Sequence, residues 1–205
     1  MAGVSSQKRL AVFCSGSGSN FEALAKAGRR GRLGTRIVVM VCDRPDAFAV
    51  VRANRYGIPA ALLEPKAFGS REAHERAIVE MLKKFRVDLV ALAGYMRIVG
   101  AQILRAYPGK ILNIHPSLLP SFKGAHAVRD ALEYGVKITG VSVHLATEEL
   151  DGGPVILQEA VRVLPADTEE SLLKRIHAVE HKIYPEAVRL LARGIKVKGR
   201  VIKTK

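Results

Sequence analysis

The chain has no tryptophan, two cysteines among 205 residues, and an aromatic content of 5%. Two cysteines make at most one bridge, so a disulfide framework is excluded as the source of its stability. Cys14 and Cys42 close the apolar runs LAVFC and IVVMVC, where reduced, buried and unreactive thiols are expected. No apolar run approaches the ~20 residues that cross a bilayer, and the opening MAGVSSQKR lacks the apolar centre of a secretory signal. A cytoplasmic protein without a membrane partner is therefore expected. Acidic residues are also scarce: 19 Asp and Glu stand against 33 Lys and Arg, a net charge of +14. That excess attracts anions. Aromatics are few, no nucleic-acid motif accompanies the charge, and only the tail KVKGRVIKTK concentrates it. The expected partners are thus small phosphorylated or carboxylated molecules, with no nucleic acid.

What is present is a hydrophobic content of 48%, enough for one substantial core. Apolar, β-rich segments alternate with amphipathic ones. Strands are predicted at 9–14, 36–42, 60–63, 88–92 and 110–114, with helices at 20–28, 47–56, 71–86 and 100–106. This order describes an α/β fold: an open, mostly parallel twisted sheet with helices on both faces and a Rossmann-like first half. After a helix near 125–134, KITGVSVHL and PVILQEAVRV are joined by ATEELDGG with no room for a crossover helix, so an antiparallel pair is predicted. A last helix is predicted to open at Asp167 with Glu170 in capping-box spacing and to stop at Gly194. Pro185 predicts a kink or a join within it. A single domain over 1–205 is expected, with 1–108 as a phosphate-binding, nucleotide-fold half and 109–205 as a catalytic and folate-binding half, the ligand names resting on the resemblance described below.

Three stretches carry chemistry. SGSGSN follows the first strand and opens a helix, so close-approaching glycines and free N–H groups make an anion site there, with Ser19 and Asn20 contributing side chains. The alternative is a tight turn capped by Ser or Asn. The dinucleotide fingerprint is incomplete, because Phe21 stands where a small residue is needed. In KILNIHP, alternation puts Asn113 and His115 on one side of a strand at its carboxyl end, and Pro116 and Pro120 stiffen the loop that follows. Such a pair either forms a structural hydrogen bond or acts on a carbonyl, the amide donating to its oxygen and the imidazole carrying a proton. Asp151, in LDGG, either caps a turn or folds beside His115, where a carboxylate favours a protonated imidazole.

SGSGSN, AGYMRIV, NIHPSLLPSFKGAHA, TGVSVHLATEELDGGPVILQ and EHKIYP together resemble the 10-formyltetrahydrofolate-dependent formyltransferases, and within them the phosphoribosylglycinamide formyltransferases of purine biosynthesis. The likeness is collinear from about residue 9 to 200. It implies an enzyme that moves the formyl group of 10-formyltetrahydrofolate to the amine of glycinamide ribonucleotide, with no metal, as a monomer or homodimer. It implies that Asn113, His115 and Asp151 are catalytic and that Gly18, Ser19 and Asn20 hold the substrate phosphate. Glu180 would take its ribose hydroxyls. Arg71, Met96, Arg97, Ile98 and Val99 would line the folate site with Ala146, Thr147, Glu148 and Asp151, and His144 would support the catalytic group. Lys123-Gly124 stands where relatives often carry Pro-Gly, which implies a looser loop.

Rival readings carry their own signatures. His177-Ala178-Val179-Glu180-His181 spells an inverted zinc-peptidase motif. A methionyl-tRNA formyltransferase would need a further RNA-binding domain, a formyltetrahydrofolate hydrolase would transfer to water, and a non-catalytic nucleotide-binding protein would bind without turnover.

Overall fold

The computed structural model describes residues 7–204. Five strands, β1 (Lys8–Cys14), β2 (Thr35–Cys42), β3 (Ala60–Leu62), β4 (Leu89–Leu92) and β5 (Ile111–His115), are separated by helices α1 (Ser19–Arg29), α2 (Phe48–Tyr56), α3 (Arg71–Lys84) and α4 (Ala101–Ala106). Each helix returns the chain to the starting edge, so these strands pair in parallel. Helix α5 (Ala127–Tyr134) then leads into β6 (Ile138–Leu145) and β7 (Val155–Arg162). β6 runs antiparallel to both β5 and β7, giving the order β3-β2-β1-β4-β5-β6-β7. The predicted elements recur with ends shifted by one or two residues, the ordinary latitude of a helix or strand terminus.

Alternation along the strands divides the core in two. Leu10, Val12, Cys14, Met40 and Cys42 pack with side chains of α1, α2, α5 and the last helix, whereas Ala11, Phe13, Val39 and Val41 meet α3 and α4. Burial on both faces is why these strands read as unbroken apolar runs. Burial also pushes the Cys14 thiol well above its ordinary range, which keeps it protonated and inert.

The last helix, α6 (Glu169–Arg193), corrects two expectations. Its cap is Thr168, whose hydroxyl accepts from the Ser171 N–H at 3.2 Å while Ser171 Oγ accepts from the Thr168 N–H at 3.0 Å. Asp167 stands one residue too early to be the N-cap and instead accepts from the Leu164 N–H at 2.7 Å and pairs with Arg175. Pro185 does not divide the helix, which runs unbroken for 25 residues. Leu172 and Ile176 on one side of the proline and Ala187, Val188 and Leu191 on the other are all buried, so packing offsets the hydrogen bond that proline cannot make. Beyond Gly194, β8 (Ile195–Lys198) and β9 (Val201–Thr204) form an antiparallel hairpin where the sequence showed only concentrated positive charge.

Chain order leaves β1 outward to β3 and then returns to place β4 on the other side of β1. The loops after β1 and β4 therefore part in opposite directions, opening a crevice at the carboxyl edge of the sheet.

Candidate active site

Gly18, the residue before α1, has φ +72°, and a Cβ there would stand 2.8 Å from the Ala49 backbone. Only glycine fits this approach of the loop to α2. No side chain caps α1, so its first N–H groups face the crevice without an internal acceptor. Ser19 and Asn20 are thus not the helix cap, and the loop keeps the donors an anion needs. The Asn20 amide is turned to α6, where Nδ2 donates to Glu180 Oε2 at 2.8 Å. Asn20 Oδ1 is buried with no hydrogen-bond partner. Burial raises the Glu180 carboxyl from an ordinary 4.5 to about 7, against the opposing effect of the Asn20 bond. Two segments 160 residues apart in sequence are brought together here.

Asn113 and His115 share a face of β5, and pairing with β6 puts His144 directly across from Asn113. The His144 Nδ1–H donates to the Leu145 carbonyl at 3.0 Å, so Nε2 accepts from Asn113 Nδ2 at 3.1 Å. Asn113 Nδ2 is also 3.3 Å from Asp151 Oδ1, which itself lies 3.6 Å from His144 Nε2. One amide hydrogen shared between these neighbouring acceptors leaves the other for a ligand oxygen.

Asp151 arrives from the loop between β6 and β7 with φ +49°, a strained backbone for a residue with a side chain. Its Oδ2 lies 3.4 Å from His115 Nδ1 and accepts from the Gly124 N–H at 2.9 Å. His115 Nε2 meets the Phe122 carbonyl at 2.7 Å. Burial works to raise the Asp151 carboxyl. The bond with His144, the Gly124 N–H and the positive charge of His115 and His144 outweigh it, and the group stays below its ordinary value. The site therefore holds a carboxylate beside an imidazole and an amide, the set of groups that serves charge developing on a carbonyl oxygen.

A cavity of about 320 Å³ opens between α3 and the loop after β4. It gathers Arg71, Met96, Arg97, Ile98 and Val99, as expected, and adds His74, Glu75 and Tyr95. Glu75 was missed although it lies one helical turn beyond Arg71, which it meets at 2.9 Å. Met96 and Ile98 are 77% and 63% exposed, so the cavity mouth is apolar and open to a flat ring. Ala146, Thr147 and Glu148 do not line this cavity; they form the separate loop after β6, anchored by the Ala146 N–H on the Ile111 carbonyl at 2.9 Å. The sites do not follow the expected halves, because this cavity belongs to residues before 108 and Glu180 serves the first-half loop.

His177 and His181 stack on α6 with ring centroids 6.2 Å apart, and the glutamate between them is engaged by Asn20.

Comparison with known proteins bears on this arrangement. A family model described as formyl transferase matches residues 8–188. The phosphoribosylglycinamide formyltransferase of Bacillus subtilis is 46% identical over 94% of this chain and 98% of that protein. The protein of the same name from Escherichia coli is 41% identical over 90% and 87%. The crystal structure of glycinamide ribonucleotide transformylase 1 from Symbiobacterium toebii superposes with a TM-score of 0.95 at 49% identity, covering 97% of this chain and 94% of that one. With a family model spanning nearly all of the sheet and relatives of matching length, the chain belongs to the formyl transferase family.

Proposed function

We propose that this chain transfers the formyl group of 10-formyltetrahydrofolate to the amine of glycinamide ribonucleotide, giving formylglycinamide ribonucleotide and tetrahydrofolate. The observation that carries the reading is the meeting of Asn113, His115 and Asp151 between an uncapped helix start and an apolar-mouthed cavity. The α1 N-terminus with Gly18 and Ser19 takes the substrate phosphate. Glu180 accepts hydrogen bonds from ribose hydroxyls, and Asn20 Oδ1, buried and unpartnered, is an acceptor for one of them. The folate ring system lies along Met96–Val99 and the Ala146–Glu148 loop, with the Arg71 and Arg97 guanidinium groups at the carboxylate end.

With both molecules so held, the amine nitrogen attacks the formyl carbon and a C–N bond forms. Negative charge moves to the formyl oxygen, where the free Asn113 N–H and a His115 N–H receive it. The tetrahedral adduct collapses by breaking the bond between the formyl carbon and the folate nitrogen. The proton lost by the amine is the one gained by that nitrogen, and Asp151 relays it, directly or through water. No step calls for a metal.

The test is turnover with and without the acceptor. Purified protein given 10-formyltetrahydrofolate is expected to release tetrahydrofolate only when glycinamide ribonucleotide is present. Equal release without it would make the chain a hydrolase and overturn the reading.

A further inference from the structure

Three consecutive residues of the loop after β5 each contact a different part of the catalytic group. The Phe122 carbonyl meets His115 Nε2 at 2.7 Å, Lys123 Nζ reaches Glu149 Oε1 at 2.6 Å, and the Gly124 N–H meets Asp151 Oδ2 at 2.9 Å. Phe122 itself has φ +52°, uncommon for an aromatic residue, and this twist helps direct its carbonyl inward while the next side chain leaves outward. The partner of Lys123 is placed with equal economy. Glu149 folds back over Gly152, where a Cβ would stand 2.2 Å from its carboxyl carbon, so the turn that delivers Asp151 also seats the acceptor for Lys123.

We infer that Phe122-Lys123-Gly124 is a positioning bracket that fixes the tautomer of His115 and the carboxylate orientation of Asp151, and that the Lys123–Glu149 pair clamps it to the loop carrying Asp151. The chemical content is specific. A carbonyl only accepts, so the bond to Phe122 keeps a hydrogen on His115 Nε2 in both the neutral and the charged ring. The nitrogen that gains and loses a proton is then Nδ1, which faces Asp151 at 3.4 Å. Without the bracket the neutral ring is free to carry its hydrogen on Nδ1 instead, which leaves no lone pair there to take up a proton. The Gly124 bond meanwhile holds one carboxylate oxygen, directing the group between His115 and His144. The charged groups bearing on Asp151 are His115 from β5 and His144 from β6. The Lys123–Glu149 pair stands at the loop above, with Arg200 of the terminal hairpin adding attraction on Glu149.

This bracket rests on the proposed formyl transfer for its kinetic effect but not for its structural one, and the experiment separates them. Lys123→Ala, Glu149→Gln and the double variant are compared with wild type, with Lys83→Ala, which removes a pair on the exposed side of α3, as control. Nitrogen NMR of labelled protein without substrate is expected to show His115 as the Nε2–H tautomer in wild type and Lys83→Ala, and a tautomer mixture in the other three. Turnover is expected to fall about fivefold in each bracket single, the upper end for a partly exposed ion pair. The double variant is expected to fall no further, because both singles remove one contact. The acid limb of kcat against pH should move upward in these variants, since loosening the Gly124 bond removes an influence that lowers Asp151; KM for both substrates should stay near wild type. Wild-type tautomer populations and an unmoved pH limb in both singles would overturn the bracket. Absence of transfer in wild type with the tautomer shift intact would instead overturn the proposed reaction and leave the bracket standing as structure.

Discussion

Replacing Glu180 by glutamine tests the phosphate and ribose end of the crevice through stability as well as activity. The carboxyl is 5% exposed, and burial carries it from 4.5 to about 7. At about 1.4 kcal/mol per pH unit, that displacement corresponds to about 3 kcal/mol. The folded protein holds this proton more tightly than the unfolded chain, so between the two values the folded state binds more protons and stability falls as pH rises. The penalty is absent below 4.5 and complete above 7. His177, 3.9 Å from Oε2, gives little compensating charge, because its own burial lowers it. Glutamine keeps an oxygen for Asn20 Nδ2, and its amide finds an acceptor in the unpartnered Asn20 Oδ1. Urea unfolding from pH 5 to 8.5 is therefore expected to show Glu180→Gln gaining stability over wild type with rising pH, by up to about 3 kcal/mol at the alkaline end. The same variant should raise KM for glycinamide ribonucleotide, because an amide offers one acceptor where a carboxylate offers two. A stability difference independent of pH would refute the assignment of the penalty to this carboxyl.

The remaining expectations concern single contacts. His115→Ala should lower kcat by at least about 100-fold with unchanged circular dichroism, the range for losing a group that carries a proton in the transition state; near-normal turnover would remove it from the mechanism. Asp151→Asn should lose comparable activity. Because the Asp151 carboxyl is depressed, its stabilisation is present above its ordinary value and lost as pH falls through the depressed one, so the variant should lack part of the wild-type acid sensitivity in unfolding titrations. Gly18→Ala should cost about 1–3 kcal/mol and weaken substrate binding, since both the left-handed φ and the approach to Ala49 forbid a Cβ. Tyr184→Phe, which deletes a buried 2.8 Å bond to the Leu92 carbonyl, should cost about 1 kcal/mol without changing KM.

The fold was legible because its physics is periodic. Strands buried on both faces must be apolar throughout, and crossover helices must alternate with them, so β1 to β5 and α1 to α4 follow from pattern alone. The β6–β7 pair was legible from the shortness of its connection. Pro185 misled because a local rule was applied to a helix whose long buried stripe outweighs one missing bond. The hairpin β8–β9 was missed because lysine at alternate positions reads as solvated tail; its strands pair with each other and expose Val197 and Val201.

The site divides the same way. Alternation placed Asn113 and His115 on one face, which required no knowledge of the rest of the chain. Asp151 was legible only as an acid before two glycines, since its meeting with His115 depends on β5 and β6 pairing antiparallel, a tertiary fact. Phe122 was not legible at all, because it acts through its carbonyl, and a main-chain group carries no signature in a side-chain alphabet. The strained backbones at Phe122 and Asp151 mark where this limit falls. Two of the three side-chain-bearing residues with positive φ among the described residues stand within hydrogen-bonding reach of His115 or its partner, the third being Arg86. Local preference is contradicted where the active group is assembled, and the contradiction persists because the surrounding loops hold each residue by more than one contact. A chain whose loops followed their own preferences would form the same sheet and leave His115 unpaired at its edge.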